Sequence, residues 1–209
     1  MLINISDDTL RNLLEGVGSE SRALEFKESY EWKNSDASMT FIQAKTLKTI
    51  LAMSNTENGG YIVIGIKELS NSQFDFTGVS ASNESSFQDT ERIARTVDGL
   101  SSGHIDFEIG VGEYQNKRYI VFSIKQFNRM PNFAARDLGI NGHMIIAKND
   151  VYVRANSAQP QTIKMTPDEF RDIVTLIESR DESFVRRFLP SPEISEDQGS
   201  EYEELDGDL

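Results

Sequence analysis

The segment YIVIGI, residues 61–66, constrains the fold of this chain more than any other stretch. Its six residues lie among glycines and are mostly β-branched or aromatic. A strand that is apolar on both faces has to be covered on both faces, as happens when helices pack on a sheet. The segment therefore indicates a central strand of an α/β domain.

Helical and strand patterns alternate around this segment. They predict one α/β (α+β) domain, a mixed β-sheet flanked by helices. One stripe of the second helix would carry Phe41, Ala44 and Leu51. The last helix would begin at a Thr166–Glu169 capping box and bury Phe170, Ile173, Val174 and Ile177. The predicted helices cover residues 6–16, 38–55, 85–100 and 166–180, and the predicted strands cover residues 23–27, 61–66, 104–110, 117–125, 144–147 and 150–155.

The composition excludes several classes of protein. The chain of 209 residues has 26% charged residues and no cysteine, so disulfides and thiolate zinc sites are excluded, as expected in a reducing compartment. The first residues, MLINISDDTL, are acidic and lack the apolar centre of a signal peptide. The longest apolar run, YIVIGI, is too short to span a membrane. We expect a cytoplasmic protein with no membrane segment.

Acidic residues are concentrated at the end of the chain. Residues 190–209 contain eight of them and no base, whereas residues 1–189 carry 26 acids and 21 bases. A segment of such high charge and low hydrophobicity cannot bury enough surface to fold alone. We predict a domain over residues 1–189 and an acidic disordered tail over residues 190–209. The tail either aids solubility or mimics nucleic-acid charge, occupying a basic groove or recruiting a protein partner.

The segment ESRALEFKES, residues 20–29, gathers three carboxylates and two cations. In a strand, Glu25 and Lys27 project to one face while Leu24 and Phe26 project to the other. This polar face has two interpretations. One is a solvated strand face with a surface ion pair. The other is a site where carboxylates bind a hard divalent cation and the lysine neutralises a phosphate.

Four motifs, in this order, resemble those of the Schlafen-like family, whose domain is also called AlbA-2. They are E-x-K at residues 25–27, a helix ending in NTENGG at residues 55–60, the strand running into IGIKE at residues 64–68, and the strand VYVR at residues 151–154 with Ser157, before a helix that contains Glu169. The resemblance covers about residues 10–178.

The resemblance implies an active site of three carboxylates. In Schlafen endoribonucleases two lie five residues apart, ending at the E-x-K strand, and the third is an aspartate just beyond the buried strand. They match Glu20, Glu25 and Glu68, with glutamate in place of the aspartate. Because such carboxylates would repel one another, one or two Mg²⁺ or Mn²⁺ ions between them are implied. Lys27 would neutralise the phosphate or position the attacking water.

The function that the resemblance implies is a metal-dependent endoribonuclease that cleaves structured RNA such as tRNA, as a toxin or antiphage-defence effector. We assign nucleic-acid contacts to Arg22, Lys45, Lys48 and Arg154, and we expect Arg154 on a sheet surface. One copy of the domain offers little concave surface. We therefore expect a homodimer or higher oligomer that forms the RNA groove.

Two alternatives remain open. The first is a nucleic-acid-binding regulatory module without catalysis, since many AlbA-2 domains are described as DNA-binding parts of regulators. The second is a protein-interaction subunit, favoured by the acidic tail and by the lack of a concentrated basic run. Tyr30 and Trp32 are assigned to the core or its rim in preference to base stacking. Gly59 and Gly60 are assigned to a sharp turn.

Overall fold

The computed structural model describes residues 1–15, 20–69, 73–157 and 160–188. These residues form a five-stranded sheet, three two-stranded ribbons and five α-helices. The strands are β1 (Ile3–Asn4), β2 (Leu24–Lys27), β3 (Gly60–Ile64), β4 (Lys67–Glu68), β5 (Phe74–Asp75), β6 (Phe107–Tyr114), β7 (Lys117–Ile124), β8 (Leu138–Ile140), β9 (His143–Ile146), β10 (Tyr152–Arg154) and β11 (Thr162–Lys164). The helices are α1 (Asp7–Glu15), α2 (Phe41–Ser54), α3 (Ala81–Ser85), α4 (Thr90–Asp98) and α5 (Pro167–Phe188).

The main sheet has the strand order β1-β6-β7-β3-β2. Strand β3 pairs in parallel with β2 and antiparallel with β7, and α2 forms the crossover between the two parallel strands. Strand β6 pairs antiparallel with β7 and in parallel with β1. The sheet is therefore mixed and flanked by helices, which confirms the predicted α/β domain.

Strand β3 is covered on both faces, as its sequence predicts. Ile62 and Ile64 belong to the larger apolar cluster, which includes the buried residues of α2. Val63 belongs to a second cluster on the opposite face, together with Leu10 and Leu14 of α1. The expectation fails only at Tyr61, the second residue of the strand, which is 38% exposed.

The predicted helix at residues 85–100 begins too early, because α3 ends at Ser85 and the helix within this range, α4, begins at Thr90. Between them Phe87 turns into the core against Tyr30, Trp32 and Phe122. Asp89 then begins α4 by accepting a hydrogen bond of 3.1 Å from the backbone N–H of Arg92. Burial of one aromatic ring and one side-chain cap are enough to interrupt the helix.

Two phenylalanines assigned to apolar helix faces are exposed. Phe41 is 44% exposed at the first residue of α2, a helix that is otherwise buried on several sides. Phe170 is 52% exposed, whereas Ile173 of the same helix packs with Val151 and Val153. The apolar cluster beside the ribbon includes Ile173, Leu176 and Ile177 of α5 but not Phe170, so the first turn of the helix is left in solvent.

Further sequence predictions concern two aromatic residues, the start of the last helix and two segments of the chain. Tyr30 and Trp32 are buried in the core, and Thr166 donates its backbone N–H to the Glu169 carboxylate, as in a capping box. The proposed end of the first helix at Gly16 and the tail at residues 190–209 lie outside the described residues. None of the described helices is long and apolar enough to cross a membrane.

Gly59 is required by a close backbone approach. Its φ of +71° is in the left-handed region, and a Cβ atom there would lie 2.0 Å from the Ile124 carbonyl oxygen. Glycine is the residue that tolerates both conditions. The turn before β3 is therefore as sharp as the sequence predicts.

Asn55, in the turn after α2, joins three parts of the chain. Its Nδ2 donates to the carbonyl oxygens of Asn132 (2.9 Å) and Tyr152 (3.0 Å), and its Oδ1 accepts the Asn132 N–H at 2.7 Å. All three residues are buried. This asparagine therefore fixes the end of α2 against β10 and against the loop that follows β7.

We predict that Asn55→Ala lowers the free energy of unfolding by about 3 kcal/mol, because three buried backbone groups lose their partner. Urea denaturation monitored by circular dichroism measures this change. Asn34→Ala, at an exposed position, is the control and should change stability by less than about 0.5 kcal/mol. Equal stability of the two variants would contradict the role of Asn55.

Candidate functional site

A cleft of about 820 Å³ opens beside β2, the strand at one edge of the main sheet. Strand β9, the β10–β11 ribbon, helix α2 and the β4–β5 ribbon contribute its other walls. The cleft brings together seven of the eight residues that we assigned to catalysis or nucleic-acid contact. They are Glu20, Glu25, Lys27, Lys45, Lys48, Glu68 and Arg154.

Side chains alternate between the two faces of a strand, and Glu25 and Lys27 of β2 both project into this cleft. Leu24 and Phe26 belong to the apolar cluster on the α1 side of the sheet. Glu25 and Lys27 lie in register with Ile62 and Ile64, whose side chains belong to the cluster on the α2 side. The polar side chains of this strand are therefore directed towards the helix and the ribbon that cover that face.

Glu25 is a buried carboxylate held by two cations. It is 8% exposed, so the interpretation of this strand as a solvated face is wrong. Its Oε1 contacts the Lys27 ammonium, and its Oε2 lies 2.7 Å from Arg154 Nη2. The second contact is a close ion pair but not an aligned hydrogen bond, which leaves Oε2 without a hydrogen-bond donor in the described residues.

Arg154 is buried, not on a sheet surface as we expected. Only 1% of it is exposed, because β10 lies against α2 and is itself buried. Its Nη1 donates to Thr162 Oγ1 and its Nη2 to the Ser21 carbonyl oxygen, both at 3.2 Å. The guanidinium therefore connects the ribbon to the segment that carries the two carboxylates.

Glu20 lies close enough to Glu25 to interact with its charge. Its Oε1 accepts the Phe26 N–H at 2.9 Å. Burial, followed by repulsion from Glu25, raises the pKa of Glu20 above the ordinary glutamate value. The Phe26 hydrogen bond and the charges of Lys27 and Arg154 act in the opposite direction without cancelling the increase. The ionised form of Glu20 is therefore less favourable than that of an ordinary glutamate.

Glu68 lines the cleft but is exposed. It ends β4, which pairs with β5. In residues 1–15, 20–69, 73–157 and 160–188, no three His, Cys, Asp or Glu side chains form a group that could hold a metal ion. Glu20 and Glu25 are thus the coupled pair, and Glu68 stands apart from them.

Lys45 and Lys48 of α2 add positive charge to the wall opposite the strand. Each ammonium lies 4.7 Å from an aromatic ring centroid, Lys45 over Phe41 and Lys48 over Tyr152. Burial, and then repulsion from Lys45, lowers the pKa of Lys48. A bound anion would relieve this repulsion.

Arg22 does not line the cleft. Its Nε donates to the Arg154 carbonyl oxygen at 3.2 Å, and its Nη2 lies 3.5 Å from Asp172 of α5. Its role as a nucleic-acid contact stays a prediction. Thr49 and Thr162 also line the cleft, and the sequence analysis missed both. No local pattern marks them, because their position depends on the packing of α2 against the ribbon.

We predict that Glu25→Gln lowers the pKa of Glu20, because a neighbouring negative charge is removed while Lys27 and Arg154 remain. Titration of the Glu20 side-chain carboxyl carbon by NMR, in buffer with a chelator, measures this pKa. Glu68→Gln is the control, since Glu68 does not contribute to the raised pKa. An unchanged Glu20 pKa in Glu25→Gln would contradict the coupling.

The same shift has a consequence for stability. Since folding raises the pKa, the stability that protonated Glu20 contributes is present below the ordinary glutamate value. It is lost as the pH rises through the window between that value and the raised pKa. Glu20→Gln should therefore stabilise the protein at pH 7 and have little effect at pH 4, as measured by thermal unfolding at both pH values.

Comparisons with known proteins show which family the chain belongs to. The family model described as "Schlafen, AlbA_2" matches residues 20–162, a range that begins at Glu20 and ends at Thr162. No curated protein matches the chain.

Two solved structures are similar at low identity. The N-terminal domain of a RecG-related protein from Nitrosomonas europaea is 16% identical with a TM-score of 0.45, and the match covers 71% of this chain and 90% of that domain. The DIP2311 protein from Corynebacterium diphtheriae is 13% identical with a TM-score of 0.40, and the match covers 68% of this chain but only 22% of that protein. The family match covers more than half of the chain, and the chain therefore belongs to the Schlafen AlbA_2 family.

Proposed function

We propose that this domain is a metal-dependent endoribonuclease that binds structured RNA, such as tRNA, in the cleft beside β2. The observation that carries the proposal is the composition of the cleft, which combines three carboxylates with four cationic side chains. The lysines among these cations suit the phosphate backbone of a nucleic acid, and carboxylates suit a hard divalent metal ion. A purely nucleic-acid-binding groove has no need of the carboxylates.

The coupled carboxylates support a divalent cation in this proposal. Repulsion between Glu20 and Glu25 is one cause of the raised Glu20 pKa, and the buried Glu25 Oε2 lacks a hydrogen-bond donor. Mg²⁺ is commonly held by one or two carboxylates together with water and substrate phosphate oxygens. Two carboxylates are therefore a sufficient protein contribution, and in our proposal Glu68 acts at the rim of the site.

Each group of the chain has a distinct task in this proposal. A bound Mg²⁺ or Mn²⁺ would polarise the scissile phosphate and lower the pKa of an attacking water. Glu20 and Glu25 hold the cation. Lys27, only partly buried beside Glu25, neutralises phosphate charge. Lys45 and Lys48 attract the flanking backbone from the opposite wall of the cleft.

A second candidate function is nucleic-acid binding without cleavage. Lys27 and Arg154 both contact Glu25, so this carboxylate is already neutralised without a metal ion. Glu25 and its two cationic partners would then lie beside the two lysines of α2 without binding a metal ion. Under this alternative the chain is a regulatory binding module.

Other expectations stay predictions. The structure contains a single chain, and the acidic residues 190–209 lie outside its described residues. The homodimer and a protein partner for the acidic tail therefore belong to the proposal. A role as a toxin or antiphage-defence effector is likewise part of the proposal only through the resemblance to Schlafen endoribonucleases.

We predict cleavage of tRNA by the full chain in the presence of Mg²⁺ or Mn²⁺ and none in the presence of EDTA. Glu25→Gln should reduce the rate by at least about 100-fold, because the cation loses a ligand. Denaturing gel electrophoresis of end-labelled tRNA measures the rate, and circular dichroism verifies that the variant is folded. Glu108→Gln, an exposed glutamate on β6, is the matched control and should retain full activity. Tight binding by the wild-type chain without cleavage would favour the second candidate function.

We also predict that Lys48→Ala weakens RNA binding and lowers the slope of log K against log salt concentration by about 0.7, the contribution of one phosphate contact to a single strand. Lys45→Ala should have a similar effect. Fluorescence anisotropy at several salt concentrations measures both quantities. Lys125→Ala is the control, because Lys125 follows the strand residue paired with Gly60 at the other end of the sheet. An equal change in that control would show that the binding is not localised to the cleft.

A further inference from the structure

Arg154 differs from the other cations of the cleft in its burial and in its partners. Lys45 is exposed, and Lys27 and Lys48 are partly so, whereas Arg154 is 1% exposed. An arginine in a nucleic-acid-binding cleft either contacts phosphate or holds other protein groups in place. The two roles differ in whether the guanidinium has donors free for a ligand.

The donors of Arg154 are directed at the protein. Nη1 donates to Thr162 Oγ1, and Nη2 donates to the Ser21 carbonyl oxygen and lies 2.7 Å from Glu25 Oε2. Nη1 and Nη2 thus each have a protein partner, whereas Nε is buried and has no hydrogen-bond partner among the described residues. The two Nη atoms of the guanidinium therefore make their contacts inside the protein.

These contacts involve one carboxylate of the coupled pair and the backbone next to the other. Glu25 is contacted directly, and Ser21 directly follows Glu20 in the chain. The backbone of the same arginine is also held, because its carbonyl oxygen accepts the Arg22 Nε–H. One guanidinium thus fixes Glu25 relative to the segment that carries Glu20.

The ribbon supplies a rigid base for this guanidinium. Arg154 of β10 lies directly opposite Thr162 of β11 in the antiparallel register. The Thr162 hydroxyl is in turn 3.3 Å from the Thr49 hydroxyl of α2. The position of Arg154 is therefore determined by the ribbon and by the helix that covers it.

We propose that Arg154 is a positioning residue that sets the geometry of the Glu20–Glu25 pair, and that it is not a phosphate ligand. This inference rests on the proposed function for its catalytic consequence. Lysine cannot replace it, since a single ammonium does not reproduce a planar fork that serves Glu25, Ser21 and Thr162 together.

The test compares Arg154→Lys with Thr162→Val, which keeps the arginine but removes one of its acceptors. Arg136→Lys is the matched control, because Arg136 makes comparable contacts to Asp36 and the Gly99 carbonyl oxygen outside the cleft. For each variant of the full chain, three quantities are measured: kcat and KM for tRNA cleavage, the salt dependence of RNA binding, and amide hydrogen exchange at Phe26. The last reports the bond between the Phe26 N–H and Glu20.

For Arg154→Lys we expect kcat to fall by about 10- to 100-fold while KM and the salt slope stay unchanged. Exchange at Phe26 should become about tenfold faster, with no change at Val121 in the middle of the sheet. Thr162→Val should show smaller changes in the same direction. The control should match the wild type in all three measurements.

Two results would overturn the proposal. A salt slope lowered by about 0.7, as expected for Lys48→Ala, would make Arg154 a phosphate ligand. Unchanged kcat and unchanged Phe26 exchange in Arg154→Lys would remove the positioning role. If the wild-type chain binds RNA but cleaves none, the exchange and salt measurements still decide the role of Arg154, while the nuclease proposal fails separately.

Discussion

Strand β3 needs an apolar layer on each of its faces, and this requirement organises the rest of the domain. Helix α1 contributes to one layer and α2 to the other. Helix α2 packs on the face that carries Ile62 and Ile64, which is also the face of the polar side chains of β2. Glu25 and Lys27 are consequently enclosed below a helix and a ribbon, where charges interact more strongly than they would in water.

The formal charge of the side chains that line the cleft differs in sign from the charge of the whole chain. The formal net charge is −13 at pH 7, yet four cations and three carboxylates line the cleft. The cations come from β2, α2 and β10, which are distant in sequence. The cleft therefore gathers its cations without a run of consecutive basic residues, because the βαβ crossover and the ribbon bring single residues together. Net charge describes solubility and long-range repulsion, whereas the cleft determines what can bind.

Local patterns in the sequence were sufficient for the part of the site that lies on one strand. The alternation of Leu24, Glu25, Phe26 and Lys27 predicts which side chains share a face, and the structure confirms it. The family match begins at Glu20, in agreement with the motifs from which the resemblance was recognised. The start of α4 was also predictable from the sequence, since aspartate, here Asp89, is a favoured N-cap residue.

Burial of Arg154 was not predictable in this way. It depends on the pairing of β10 with β11, and on contacts of this ribbon with α2 and with Ser21 that join residues more than 100 positions apart along the chain. The exposure of Phe170 has the same origin, because a face of a helix is buried only as far as its partner extends. Long-range packing therefore decides which charged residues of this domain meet solvent and which meet one another.

The energetics of the cleft indicate that its charges are not there for stability. Enclosing a carboxylate and a guanidinium costs several kcal/mol of desolvation for each, and apolar residues of similar size are often at least as stabilising. Lys27 and Arg154 compensate Glu25, but the pKa of Glu20 stays raised, so the compensation is uneven across the pair. The two acids and two bases sum to zero charge, yet the bases contact Glu25, whereas the partner of Glu20 among the described residues is the Phe26 backbone N–H. A divalent cation beside Glu20 would correct this imbalance, and in our proposal the RNA phosphate would then complete its coordination.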